Sequence, residues 1–193
     1  LGLVGSEMCI RDRMNRNHGM ERYRNLVTAV RRILPEATLF TDIITGFTGE
    51  TDEQHRNTLR AMEEFRFNMA YLAQYSPRPG AASYRWEDTV PREVKKERMH
   101  ELNQVLERTA GAHNSRMLGE TLRVLVTGID RKPGYLKGLT EGKVNVRFRA
   151  TQQGLVGNFT DVRITGTNGM SLEGEWVPAP VAASVFETLV LPS

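Results

Sequence analysis

One cysteine, Cys9, is all that the 193 residues contain. A lone thiol excludes a disulfide within the chain and any metal or iron–sulfur site built only from its own cysteines. Long apolar runs are also missing. No stretch approaches the roughly 18 apolar residues that a membrane-spanning helix needs, and no basic-then-apolar secretory layout opens the chain. No membrane partner is expected, and the cytoplasm is the expected location. The histidines at 18, 55, 100 and 113 show no metal-ligand spacing, because His100 and His113 share a predicted helix too far apart for one ion. No internal repeat stands in for a missing core.

What is present reads as a globular protein, with 39% hydrophobic and 25% charged residues. The length fits one large domain or two small ones. The formal charge of +3 is unevenly spread. Between Arg116 and Arg149 stand eight Lys or Arg against Glu120, Asp130 and Glu141. A local basic excess of that kind suits a polyanion partner, or simply a solvated surface.

The chain turns on Thr41-Asp-Ile-Ile-Thr-Gly-Phe-Thr-Gly-Glu-Thr51. An apolar strand over residues 39–45 breaks at Gly46 and Gly49 and restarts as a helix, with Thr51 and Gln54 spaced as a capping box. A Gly-rich turn between a strand and a helix N-terminus is where parallel α/β proteins hold ligands, although such turns also serve as plain connectors. Upstream, Leu26, Val30, Ile33 and Leu34 recur at helical spacing and Pro35 stops the helix. Downstream, Leu59, Met62 and Phe65 mark the buried face of the next helix. A second apolar strand over residues 69–75 ends in Pro77-Arg-Pro-Gly80. Helix, strand, helix, strand predicts parallel strands with right-handed crossovers. Two strands cannot close a parallel sheet, so these residues read as part of a larger one.

From Pro91 a charged, solvated linker helix that packs on the barrel is expected to reach about Met117, with Val94, Leu102, Val105 and Leu106 as its narrow apolar stripe. After Gly119 the period becomes two, through Leu122, Val124 and Val126, then Val144, Val146 and Phe148, then Val162 and Ile164. Turns are expected at Gly134, Gly138, Gly142, Gly154 and Gly157. This predicts a small five-stranded barrel of the OB type. Arg147 and Arg149 alternate with Val146 and Phe148 and so share a face, which Arg123, Arg131, Lys132, Lys137 and Lys143 extend. Such a surface binds phosphates without reading sequence; few aromatics join it, so base stacking is not expected to lead.

Ile44-x-Gly46-x-x-Gly49-Glu50, followed by Tyr75-Ser-Pro-Arg-Pro-Gly-Ala-Ala-Ser83, resembles the radical S-adenosylmethionine methylthiotransferases, and within them the branch that acts on tRNA. The likeness runs from about Met14 to about Trp176. Thr48 departs from the proline usual in this turn. The resemblance implies a fold of two parts. Residues 14–117 would be the last portion of a partly open (β/α) barrel with its linker helix, and residues 118–177 a TRAM domain that binds RNA. Residues 178–193 form an unassigned tail. Ser6-Glu-Met-Cys-Ile-Arg-Asp-Arg13 resembles a translated sequencing-library adaptor, so residues 1–13 are expected to be non-native.

The same resemblance implies S-adenosylmethionine and two 4Fe-4S clusters as cofactors of the intact enzyme, with the cluster cysteines outside this chain. Soft thiolates are what such clusters require, so the chain alone is expected to be inactive. Around the nucleotide end, Asp42 and Glu50 are placed to bond ribose hydroxyls or the amine, or else to cap the following helix. Ile43 and Ile44 are placed to pack on adenine. Arg16 resembles a family arginine near the cofactor carboxylate, where a planar fork suits, or is a surface residue. Arg78 sits in a proline-stiffened loop at a strand's C-terminal end, either facing substrate phosphate or serving a rigid connector. Arg123, Lys143, Arg147 and Arg149 are the expected RNA contacts. The implied activity is transfer of a methylthio group to C2 of N6-isopentenyladenosine beside the anticodon, by a monomer that grips the anticodon stem-loop. A ribosomal-protein methylthiotransferase and a non-catalytic RNA-binding module are the rivals; Arg78-Pro-Gly80 speaks against the first.

Overall fold

In a computed structural model of the chain, residues 19–150 and 152–178 are described. The expected non-native segment, Arg16 and the C-terminal tail beyond residue 178 lie outside them.

Helix α1 (Met20–Ile33), strand β1 (Phe40–Thr45), helix α2 (Asp52–Phe65), strand β2 (Met69–Gln74) and helix α3 (Arg92–Asn114) make the first unit. β1 and β2 pair in parallel, in register from Phe40 with Met69 to Thr45 with Gln74. The capping box forms as its spacing predicts. The Thr51 hydroxyl accepts from the Gln54 N–H, and the Gln54 side chain accepts from the Thr51 N–H. Alternation on β1 sends Ile43 into the core, where it is fully buried with Met62, Phe65, Phe67, Leu102 and Leu106. Ile43 therefore packs under the helices, and only Ile44 of the isoleucine pair faces outward.

Three expectations change here. On α1 the inward residues are Tyr23 and Val27, whereas Leu26, Ile33 and Leu34 are exposed. The helix has two apolar arcs, and Tyr23 wins the core because its ring meets Phe65 edge-on at 5.0 Å. On α2, Met62 and Phe65 are buried with Ala61, while Leu59 is only partly so. Helix α3 packs on the α/β unit as expected, through Leu102, Val105 and Leu106, but its contact face is not only an apolar stripe, since Lys95 and Arg98 are buried too. It ends at Asn114, and a short 3-10 turn continues to Met117.

Strands β3 (Thr121–Ile129), β4 (Tyr135–Thr140), β5 (Asn145–Arg149), β6 (Phe159–Thr167) and β7 (Ser171–Val177) close into a barrel in the order β3-β4-β5-β7-β6. All contacts are antiparallel except β5 with β7. Val124, Val126, Val146, Phe148, Val162, Ile164 and Leu172 fill the interior, as the period of two requires. Gly138 does not form a turn. It lies within β4, where a Cβ would come within 2.5 Å of the Leu125 carbonyl oxygen and Val124 Cγ1. Gly174 on β7 stands in the same relation to Arg163 and Val162. Glycine is required at both points because two backbones and one valine meet there.

The two units are joined through α3. Asn114 Nδ2 donates to the Gly169 carbonyl at 2.7 Å, Gly111 packs on Gly169, and Met170 packs against the first core.

Candidate functional site

The C-terminal ends of β1 and β2 open into a cavity of about 460 Å³. Ile44 and Phe47 form its apolar wall, with Gln74, Tyr75, Ser76 and Arg78 among its polar rim. This is the end at which parallel sheets hold ligands, since the strand-end backbone atoms and loops converge there. Two of the residues singled out from sequence, Ile44 and Arg78, come together at this cavity, although they are 34 positions apart. Asp42 lies on the same exposed face of β1 as Ile44, one pleat back from the strand end.

Gly46 and Gly49 both take positive φ, +73° and +78°, a conformation that residues with a Cβ seldom adopt. At Gly46 a second constraint operates. A Cβ there would fall 2.5 Å from Lys95 Cγ, so the glycine makes room for the stem of a lysine from α3.

Beneath the turn lies a buried ionic support. Glu50 Oε2 accepts from the Gly46 N–H at 2.6 Å and from Arg98 Nη1 at 2.8 Å. Arg98 also donates to the Glu50 carbonyl and to the Asp52 carboxylate. The Arg98 guanidinium, through its hydrogen bond and its charge, holds the Asp52 carboxyl below the usual carboxylate range. Lys95 Nζ pairs with Asp88 and donates to the Tyr75 carbonyl at 3.2 Å. Glu50 is thus directed into the protein, where its carboxylate fixes the turn. Phe47 meets Tyr75 at 4.8 Å and Trp86 at 5.9 Å, so an aromatic cluster stiffens the wall of the cavity. Arg98 gave no local sequence signal because Glu50 and Asp52 lie far away in the chain. Lys95 gave none because Asp88, although near in sequence, lies before the helix, where no helical or strand spacing relates the two.

The expected RNA residues of the barrel divide into two places. Arg147 lies in a cross-strand row with Lys137 and Glu173 and pairs with Asp130 at 3.1 Å and Glu173 at 3.6 Å. The Lys132 N–H and Arg147 hold the Asp130 carboxyl below its ordinary value. Arg149 is exposed on that same face, in register with Tyr135 and Glu175. This face carries both signs of charge. Arg123 and Lys143 instead line a separate cavity of about 410 Å³ together with Phe159.

A further cavity of about 760 Å³ lies where α1, α2 and α3 meet the start of the barrel, lined by Arg31, Arg66, His113 and Arg116 among others. Arg31 donates to the carbonyls of Phe65 and Arg66, capping the end of α2. Burial, then the charge of Arg116, holds the His113 ring below its ordinary pKa.

Among the described residues no group of three His, Cys, Asp or Glu is placed to hold a metal ion, and no helix is long and apolar enough to cross a membrane.

Comparison with known proteins bears on both units. Residues 115–177 match the TRAM domain family, so the closed barrel is a TRAM domain. Over 92% of its length the chain is 38% identical to the tRNA-2-methylthio-N(6)-dimethylallyladenosine synthase of Symbiobacterium thermophilum, covering 37% of that protein. It is 40% identical to the synthase of the same name from Oceanobacillus iheyensis over 86% of the chain and 32% of the relative. The Bacteroides fragilis synthase gives 40% over 85% and 36%. The chain spans about a third of the length of the curated relatives it matches.

Proposed function

We propose that this chain is the C-terminal portion of a radical S-adenosylmethionine methylthiotransferase that modifies N6-isopentenyladenosine in tRNA. The observation that carries the reading is the 38% identity over 92% of the chain, which runs through both the strand-end cavity and the barrel. On this reading residues 14–117 are the last part of the (β/α) barrel and linker helix, residues 118–177 are the RNA-binding domain, and residues 1–13 are non-native. The partner is the anticodon stem-loop of tRNA, bound by a cytoplasmic monomer.

The fit to the implied cofactors differs between them. An apolar wall of Ile44 and Phe47 beside the polar atoms of Gln74 and Ser76 suits a nucleoside, whose base is flat and whose sugar is hydroxylated. The clusters do not fit this chain, because the described residues include no cysteine. When bound, S-adenosylmethionine supplies the methyl group and the radical. Ile44 and Phe47 would hold its adenine and exclude water. Asp42, on the open face of β1, would bond its ribose hydroxyls or amine, and Arg16 its carboxylate. Gly46 and Gly49 shape the turn, and Glu50 contributes by fixing it through Arg98. Arg78 would meet substrate phosphate at the rim. The bidentate geometry of guanidinium suits that contact.

The uncovered face of the β1–β2 sheet supports a longer barrel. Asp42, Tyr71 and Ala73 are exposed there, and a parallel sheet needs cover on both faces. The test is to read the source DNA upstream of the Met14 codon. An open frame encoding Cys-x-x-x-Cys-x-x-Cys is expected, and its full product, reconstituted anaerobically, should add a methylthio group to an isopentenylated anticodon stem-loop. A stop codon and ribosome-binding signal directly upstream would sink this reading in favour of an RNA-binding module without catalysis.

A further inference from the structure

Three outward-facing residues of the barrel form one cross-strand row. Phe159 on β6 is in register with Leu125 on β3, and Leu125 with Leu139 on β4. Phe159 is 59% exposed, although a phenylalanine normally gains by burial. Its ring is not idle surface. The Arg123 guanidinium lies over it at 4.7 Å from the centroid, and Leu125, Leu139 and Thr140 complete the floor of the cavity. Lys143 stands at the rim with φ +61°, a left-handed conformation rarely taken by a lysine, fixed by its N–H donating to the Thr140 carbonyl. Glu141 is the one acid lining the cavity. The row continues through Asn145 and Ser171, which line a cavity shared with Tyr71 and Leu72 of β2.

We infer that this row is a stacking site for an unpaired base of single-stranded RNA. Phe159 and Arg123 supply the platform, and Arg123 and Lys143 neutralise the flanking phosphates. The inference rests on the reading of the barrel as RNA-binding and adds to it a mode, stacking, and a place. An exposed aromatic with a guanidinium alongside and apolar side chains beneath is what a flat, anionic-flanked base requires. A duplex, whose bases are already stacked, has nothing to offer such a platform. The face around Arg147 also holds a ring under a cation, Tyr135 beneath Lys132 at 4.1 Å. That ring is half-buried, however, and Asp130 and Glu173 pair with Arg147 beside it, so this face offers neither an open platform nor free positive charge for a flanking phosphate.

The full 193-residue chain is titrated with a fluorescent single-stranded RNA of about 10 nucleotides, within the usual site size of such barrels, and with an RNA duplex of the same sequence. Phe159→Ala should weaken single-strand binding about tenfold or more, as loss of one stacked base does, and leave duplex binding and the salt dependence unchanged. Phe159→Trp should retain the affinity and show its fluorescence quenched on binding. Arg123→Gln or Lys143→Gln should lower the slope of log affinity against log salt by about 0.7 each. Unchanged single-strand affinity in Phe159→Ala would overturn the stacking site while leaving an RNA-binding barrel. Failure of the parent chain to bind either RNA would overturn the RNA-binding reading itself. Self-association that Phe159→Ala abolishes, with RNA affinity unchanged, would make the row a contact between copies and overturn the inference equally.

Discussion

The two units of this molecule solve the same problem of strand edges in opposite ways. In the barrel each of five short strands has a neighbour on both sides, and the ladder closes. In the α/β unit two parallel strands carry helices, yet among the described residues the sheet keeps two open edges and an exposed face with Asp42, Tyr71 and Ala73. Closure makes a small domain self-sufficient, whereas an open parallel sheet depends on something beyond itself. The open face is also the one that carries Asp42 and Ile44, so the uncovered surface and the proposed nucleoside site coincide.

Separating the two units should have the largest effect. Residues 115–177 alone should unfold in one cooperative thermal transition by circular dichroism. Residues 19–114 alone should show no sharp transition and should scatter light as they associate. A cooperative, monomeric melt of the second piece would show that its open face is no liability.

A smaller effect is expected within the intact chain. Arg98→Met leaves the Glu50 carboxylate buried without its cation, which typically costs about 3–5 kcal/mol. Urea unfolding should show that loss in the α/β unit, with the barrel transition unmoved. The pair Glu50→Gln with Arg98→Met should recover most of it. A loss confined to the barrel would contradict the assignment of Arg98 to the turn.

The smallest effect concerns the junction between the units. Burial and Arg116 hold the His113 pKa below 6.5, against a weaker opposing pull from Glu36, with Arg31 adding to the depression. The folded state therefore binds fewer protons than the unfolded one. Its contribution is present above pH 6.5 and is lost as pH falls from there toward the lowered value. His113→Gln should flatten the stability profile in that window, read by chemical denaturation at successive pH values. An unchanged slope would remove His113 as its source.

Much of this was legible in the sequence, and the misses have a common cause. The capping box at Thr51 and Gln54 is local, so spacing alone foretold it. The alternation through Val144, Val146 and Phe148 gave the barrel interior, because a strand has only two faces. The same parity could have found Phe159: it lies an odd number of residues from Val162, and so faces outward. Helix α1 buries Tyr23 and Val27 and leaves Leu26, Ile33 and Leu34 exposed, because two apolar arcs compete on it and periodicity does not say which one meets the core.

Residue types and their spacing are enough to say where most strands and helices lie, which barrel residues point inward, and that one cysteine cannot hold a cluster. It takes the packed chain to show that Glu50 turns inward to Arg98, that Gly46 makes room for Lys95, that Gly138 is a crossing of backbones, and that Phe159 shares a cavity with Arg123 and Lys143. Local pattern fixes the direction of a side chain relative to its own backbone. The partner it finds, 48 residues away for Glu50 and Arg98, is set only when the chain packs.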